Sequence, residues 1–344
     1  MAAAAFSPAR QGLHIWAILT LAATFFLLCS GGIVTSKGVG MSVPDWPTTY
    51  GYNMFLFPIS RWVGGIFYEH AHRLIASGVG LMTMILAGWM LASEPRRWVK
   101  MLGIVAFVGV CIQGLLGGLR VTLYKDEIGI FHALLAQAFF CLIGILTVVT
   151  SRKFVENRWD VLVPDGGLRH WALGATVLIF LQLGLGATMR HEHAGLAIKD
   201  FPLAYGAVIP DTSAEAIARI NVEREAAGEM PTNAEFIWVQ MAHRAVAVLI
   251  VVAVGVVTWR AFHFANARVI RGWSVAWAAC VAGQIVLGAW TIWSNKAADI
   301  ATSHMALGAL TLLLGVVFCF RLFRSSDTNR FRSPNPQPLP QGVV

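Results

Sequence analysis

Eight apolar runs of about 20 residues constrain this chain more than any other feature. A helix of that length crosses roughly 30 Å of hydrocarbon. The runs fall at about 14–36, 70–92, 101–120, 129–150, 170–189, 236–258, 272–293 and 303–323. A membrane β-barrel would show short alternating segments instead, so an all-α membrane protein with eight transmembrane helices is expected. Only 13% of the 344 residues are charged, about half the usual share for a soluble domain. The net charge of +8 invites a nucleic-acid reading, but its distribution opposes one. The basic residues cluster in alternate loops: Arg96, Arg97 and Lys100, then Arg152, Lys153, Arg158 and Arg169, then Arg260, Arg268 and Arg271, then Arg321, Arg324, Arg330 and Arg332. The positive-inside rule puts those loops and both termini in the cytoplasm. Membrane lipid is therefore the expected surroundings, and no nucleic-acid partner is expected. The first run is preceded by Arg10 alone and reads as a retained span rather than a cleavable signal. Cys29, Cys111, Cys141, Cys280 and Cys319 all fall inside the runs without a paired motif, which argues against a disulfide or zinc framework.

The chain repeats itself. Residues 31–51 read GGIVTSKGVGMSVPDWPTTYG and residues 186–206 read GATMRHEHAGLAIKDFPLAYG, both passing through Asp-aromatic-Pro to Tyr-Gly. His72-Arg73 opens the second run and His243-Arg244 the sixth. Gln113-Gly-Leu-Leu-Gly-Gly in the third matches Gln284-Ile-Val-Leu-Gly-Ala in the seventh. The fourth and eighth open with His132 and His304. Each half holds an even number of spans, so the halves share one orientation. Such parallel repeats are related by an axis along the membrane normal. The expectation is two tandem four-helix bundles in pseudo-two-fold relation, 14–150 and 170–323, joined by a cytoplasmic linker at 151–169. Residues 1–13 form a cytoplasmic start. Residues 207–236 form a polar outer insertion with room for a short surface helix, and 324–344 a disordered tail.

Of ten histidines, His72, His132, His243 and His304 begin the even-numbered runs, all on the outer side. A lone ionisable residue within a span is already a functional hypothesis; four at equivalent places of a duplicated bundle point to ligands. No cysteine or carboxylate accompanies them to close a tetrahedral zinc site. Two imidazoles facing across a bundle instead suit the axial positions of a haem iron. Nearby Gly78, Gly80, Gly117, Gly118, Gly283, Gly288 and Gly308 either admit a flat macrocycle or simply allow close helix packing. Arg73 and Arg244 either pair with haem propionates, for which the guanidinium fork is suited, or anchor the membrane interface. Glu69 breaks the repeat: it stands three residues before His72, where the second half has Gln240. It is either a reactive carboxylate or a helix-start residue favoured by the dipole. His70 is expected to point elsewhere. His191 and His193 are placed in the second half's outer loop, and His14, His170 and His263 at the cytoplasmic interface.

On these residues the sequence resembles the haem A synthase family. The resemblance covers about 14–323 and rests on Glu69-x-x-His72-Arg73, His132, His243-Arg244, His304 and the two loops ending Asp45-Trp46-Pro47 and Asp200-Phe201-Pro202. It implies an oxidoreductase that converts a peripheral methyl of haem O to a formyl, giving haem A for terminal oxidases. It also implies a haem b cofactor on His243 and His304, with Arg244 beside it, and a haem O substrate site at His72, His132 and Arg73, with Glu69 as the essential outer-side carboxylate. It makes the chain a bacterial-type cell-membrane protein and an iron-binding one. It further implies an external electron donor, with haem O synthase and cytochrome oxidase assembly factors as partners. Some members carry cysteine pairs in the outer loops; residues 37–69 and 190–236 contain none, which groups this chain with the cysteine-free members. The competing readings are a b-type electron carrier, disfavoured because all four ligand candidates lie near one face, and a haem transporter or chaperone.

Overall fold

A computed structural model describes residues 7–159, 166–264 and 268–330. Ten α-helices follow in order: α1 (Pro8–Ser36), α2 (Gly64–Ser93), α3 (Arg97–Thr122), α4 (Asp126–Thr150), α5 (Arg152–Val155), α6 (Gly166–His191), α7 (Ala214–Ala226), α8 (Ala234–Phe264), α9 (Arg268–Trp293) and α10 (Ala298–Arg330). All but the short α5 and α7 are long and apolar enough to cross a membrane. They correspond one to one with the eight runs and overrun them, because helices continue into the polar interface. The Ser7 side chain accepts from the Arg10 amide and Pro8 stands at the first turn of α1, a start signal that precedes the apolar run.

Within 8–150, α1 packs on α2 and α4, and α3 on α2 and α4, closing a ring of four. Within 166–330 the same ring is made by α6, α8, α9 and α10. Each ring has its own core. One gathers Leu13, Val79, Leu86, Met90, Ala106 and Ile143; the other is built around Trp277 and Phe318, with the Trp277 indole N–H donating to the Thr311 carbonyl at 3.0 Å. The rings meet through α4 against α6 and α10, and α1 against α10. Half or more of the central stretch of α4 and α10 is buried, against a third or less in the other six spans. Lipid gives no hydrophobic drive to helix association, so small residues and polar contacts close such seams. At Gly32 of α1, an added Cβ would meet Met305 and Thr302 of α10 at 2.6 and 2.9 Å, and Ser36 lies 3.3 Å from the Thr302 hydroxyl.

Two expectations change. His191 is not in a loop: it ends α6 and is buried, its ring lying against Gly129 of α4. The tail expected from 324 begins as helix, since α10 runs to Arg330; residues 331–344 and linker positions 160–165 lie outside the described residues. His72, His132, His243 and His304 sit about two turns inside their helices, near the outer ends where the sequence placed them. The insertion does contain a surface helix, α7, tied down by Asn221 to Thr232 and by Arg224 to the Met230 and Leu196 carbonyls.

Candidate haem sites

Two outer loops roof the bundles, and they are built alike. Asp45 accepts from the amides of Tyr50 (2.7 Å) and Gly51 (2.8 Å) and from the Thr48 hydroxyl (2.5 Å). Asp200 accepts from the amides of Tyr205 (2.8 Å) and Gly206 (2.9 Å). Tyr50 and Tyr205 both have positive φ, each followed by a positive-φ glycine, and each phenol donates back to its loop, at Ser42 and Ala197. A turn so wound needs the glycine, and the aspartate supplies acceptors for amides that no helix satisfies. Burial alone would raise the Asp45 carboxyl, but hydrogen bonds from Gly51, Thr48 and Tyr50 outweigh it and hold it below the ordinary carboxylate range.

The arginines beside the ligand candidates hold these roofs. Arg73 donates to the carbonyls of Asp45 (2.6 Å), Thr48 (3.2 Å) and Val43 (2.7 Å). Arg244 donates to those of Asp200 (2.7 Å), Leu203 (2.7 Å) and Pro202 (3.4 Å). These bonds fasten a loop to a helix, a task that neither reading made from the sequence included. Glu69 joins the same device. Its Oε2 accepts from the Val43 amide at 2.9 Å and its Oε1 from Arg73 at 2.7 Å, and it is only 3% exposed. Gln240 clips the equivalent residue of the other loop with both ends of its amide, accepting from the Ile198 N–H (2.8 Å) and donating to the Ile198 carbonyl (3.1 Å). One clip is charged and the other neutral, with the same job of pinning a loop to a helix. His70 indeed points elsewhere: buried under the first roof, it reaches the Thr49 hydroxyl at 3.1 Å and packs on Phe57 and Trp62.

The four candidate ligands share one setting. His72 lies against Gly31 of α1 and His132 against Gly117 of α3; His243 lies against Gly186 of α6 and His304 against Gly288 of α9. A glycine on the neighbouring helix thus makes room for each ring. His72 and His132 are close enough to act on each other electrostatically, as are His243 and His304. Each ring's Nδ1 is buried, and none of these four atoms has a hydrogen-bond partner among the described residues. Buried polar atoms are ordinarily paired, so four orphaned imidazoles in two facing couples fit coordination of a metal between each couple. No cluster of three or more His, Cys, Asp or Glu that would suit a bare metal ion occurs among the described residues. A group carrying its own equatorial nitrogens, an iron porphyrin, suits two-imidazole sites. The His132, His243 and His304 carbonyls are held by the side-chain amides of Gln113 (3.1 Å), Gln182 (2.9 Å) and Gln284 (2.9 Å).

Besides Arg73 at His72 and Arg244 at His243, sequence reasoning missed two further cations by these rings. The Arg120 charge reaches His72 and His132, and that of Arg190 reaches His304. Arg190 crosses from α6 to α1, donating to the Gly32 carbonyl (2.8 Å) and the Ser36 hydroxyl (2.7 Å). Lys296, beside Gly195, is partly buried; that burial and the nearby Arg190 guanidinium pull its ammonium below its ordinary value. The usable signal was the repeat. Arg120 faces Thr291 and Arg190 faces Thr35 in the aligned halves, breaks of the same kind as Glu69 against Gln240. Trp46 was also missed as more than a motif letter: its indole covers Gly118, next to the glycine that seats His132. Its counterpart Phe201 packs on Trp293 instead, ring centres 6.2 Å apart.

The profile of a family described as cytochrome oxidase assembly protein matches residues 57–317. Proteins named heme A synthase match along nearly the whole chain. The one from Geobacillus kaustophilus is 26% identical over 319 residues, 90% of each chain. That of Geobacillus thermodenitrificans is 25% identical over 90% of each, and that of Lysinibacillus sphaericus 25% identical over 92% of this chain and 96% of its own. With eight spans, two facing histidine couples and a family match over three quarters of its length, this chain is a multi-pass membrane protein of the cytochrome oxidase assembly protein family.

Proposed function

We propose that the chain is a haem A synthase, an oxidoreductase that converts a peripheral methyl of haem O to a formyl. The observation that carries this reading is the pair of orphaned imidazole couples, alike in setting but unequal in their surroundings. In this reading the half at 170–323 holds a resident haem b on His243 and His304, and the half at 14–150 receives haem O between His72 and His132. The two are related by a pseudo-two-fold axis along the membrane normal. That assignment is supported by Glu69, which gives only the first half a carboxylate, one helical turn before His72. Oxidising an unactivated methyl needs redox equivalents that side chains lack, and a bound haem supplies them.

Glu69 is the group proposed to take a proton beside the substrate ring, with its clip to Val43 fixing where the carboxylate stands. Arg120 joins Arg73 as the proposed propionate partner in the first site, and Arg190 with Lys296 joins Arg244 in the second. The basic loops put both termini in the cytoplasm and both sites near the outer face of a bacterial-type cell membrane. The test is expression with a haem O-producing partner and chromatography of the extracted haems. Haem B together with haem A or its hydroxylated precursor is expected. Haem B alone, with haem O supplied, would overturn the reading in favour of a b-type electron carrier.

A further inference from the structure

The two halves do not meet in the same way on their two sides. On one side α1 and α10 are closed: Gly32 lies under Met305 and Thr302, and Phe25 of α1 turns onto Phe140, ring centres 5.8 Å apart. On the other side α4 and α6 leave two hollows of about 500 and 420 Å³. The upper one is bordered by Leu116, Phe131, Leu134 and Phe180. The lower one continues past Cys141, Ile145, Thr176 and Val316. Ala138 and Phe180 border both, so the hollows form one trough. Phe180 is the repeat counterpart of Phe25; turned onto its own bundle, Phe25 fills, whereas Phe180 leaves its side open.

Almost all the surface of this trough is carbon, and it has a definite beginning. Leu116 adjoins Gly117, which seats His132, and Phe131 adjoins His132 itself. From Phe131 to Ile145 along α4 it descends about 20 Å at the α-helical rise, more than half the hydrocarbon thickness. Its upper end is thus bordered by the immediate chain neighbours of Gly117 and His132 in the proposed substrate site. Haem O differs from haem B in one respect that such a trough can read: a long hydroxyethylfarnesyl chain in place of a vinyl group.

We propose that the α4–α6 trough receives the prenyl tail of the substrate porphyrin, so that the tail rather than the ring selects haem O for the first site. The proposal rests on the haem A synthase reading for its substrate and adds the residues that recognise it. A tail lying along α4 also fixes the rotation of the ring about the axis between His72 and His132, and with it which methyl faces Glu69.

Ala138, at the junction of the hollows, is the position to test. Ala138→Trp fills the trough and Ala138→Leu narrows it, and neither touches a histidine couple. The full-length protein, purified with its resident haem, is titrated with haem O and with haem B. The wild type is expected to favour haem O. Ala138→Trp should lose affinity for haem O by about tenfold or more, Ala138→Leu by less, and both should bind haem B as before. Resident haem content and its spectrum report folding. Equal loss for both haems, or loss for neither, overturns the proposal; so does unchanged haem O binding with release of a copurified phospholipid, which would make the trough a seat for a bilayer acyl chain. If the wild type forms no haem A and binds no haem O, the functional reading itself fails; if it forms haem A and Ala138→Trp leaves haem O binding intact, only the trough does.

Discussion

At the scale of single residues, Glu69 and Gln240 form an internal experiment, one clip charged and one neutral. Glu69→Gln installs the second half's own solution in the first. It should keep the fold and the resident haem while haem A formation falls at least about tenfold, a loss of transition-state stabilisation of about 1.4 kcal/mol or more. Pigment content and extracted haems measure the two separately, and normal haem A from Glu69→Gln would remove the carboxylate from the chemistry. Glu69→Ala should do worse for another reason: it leaves the Val43 amide without its acceptor and Arg73 without its counter-charge, costing about 1–3 kcal/mol, measured as a lower unfolding midpoint. The sequence displayed the broken repeat at Glu69 but not the clip, which depends on a loop folding back from more than twenty residues away. Asp45 gives a pH prediction. Its folded pKa lies below the value for a free carboxyl, so the stabilisation is complete above the unfolded pKa of about 4 and is lost as pH falls through the lower folded value. Hydrogen exchange at Tyr50 and Gly51 should therefore stay slow at neutral pH and quicken only in strong acid, whereas Asp45→Asn should quicken it at pH 7.

At the scale of elements, the glycines that seemed interchangeable in the sequence divide by task. Gly117 and Gly288 seat imidazoles, Gly118 seats Trp46, Gly283 and Gly308 seat leucines, and Gly78 and Gly80 face open space. Composition could not separate these tasks, because each is fixed by what the neighbouring helix presents. Among the four ligand candidates the tightest seat is Gly31, where an added Cβ would stand 2.9 Å from His72; at Gly186 it would stand 3.5 Å from His243. Gly31→Ala should accordingly displace His72 and weaken haem binding at the first site by about tenfold, while Gly186→Ala should leave resident haem near its normal amount. Absorbance titration of each variant reads both outcomes. The helices themselves were the most legible level, because apolar length in lipid leaves little choice of structure. Their ends were less so: α2 starts at Gly64 rather than near 70, and α6 carries His191 into the seam.

At the scale of the whole molecule, the repeat made the two rings legible, whereas the seam between them came only with the structure, because a repeat pairs equivalent positions without saying which faces meet. Arg190 is the clearest case, a second-half residue held by first-half atoms while its charge bears on His304. Arg190→Gln should lower the midpoint potential of the resident haem, since a lost cation favours ferric iron, and Arg190→Lys should largely restore it; a redox titration unchanged in Arg190→Gln would refute the link. The central burial of α4 and α10 has a consequence for biogenesis. A ribosome delivers His132 before any of the second ring exists, but His304 only after the seven other spans have been inserted. The nascent chain thus displays a complete first couple to the membrane while the second is still missing its last ligand. On the proposed assignment, cofactor capture at His243 and His304 would be the closing event of synthesis, and any chain released early would be left open along α1 and α4, where quality-control proteases of the membrane could recognise it.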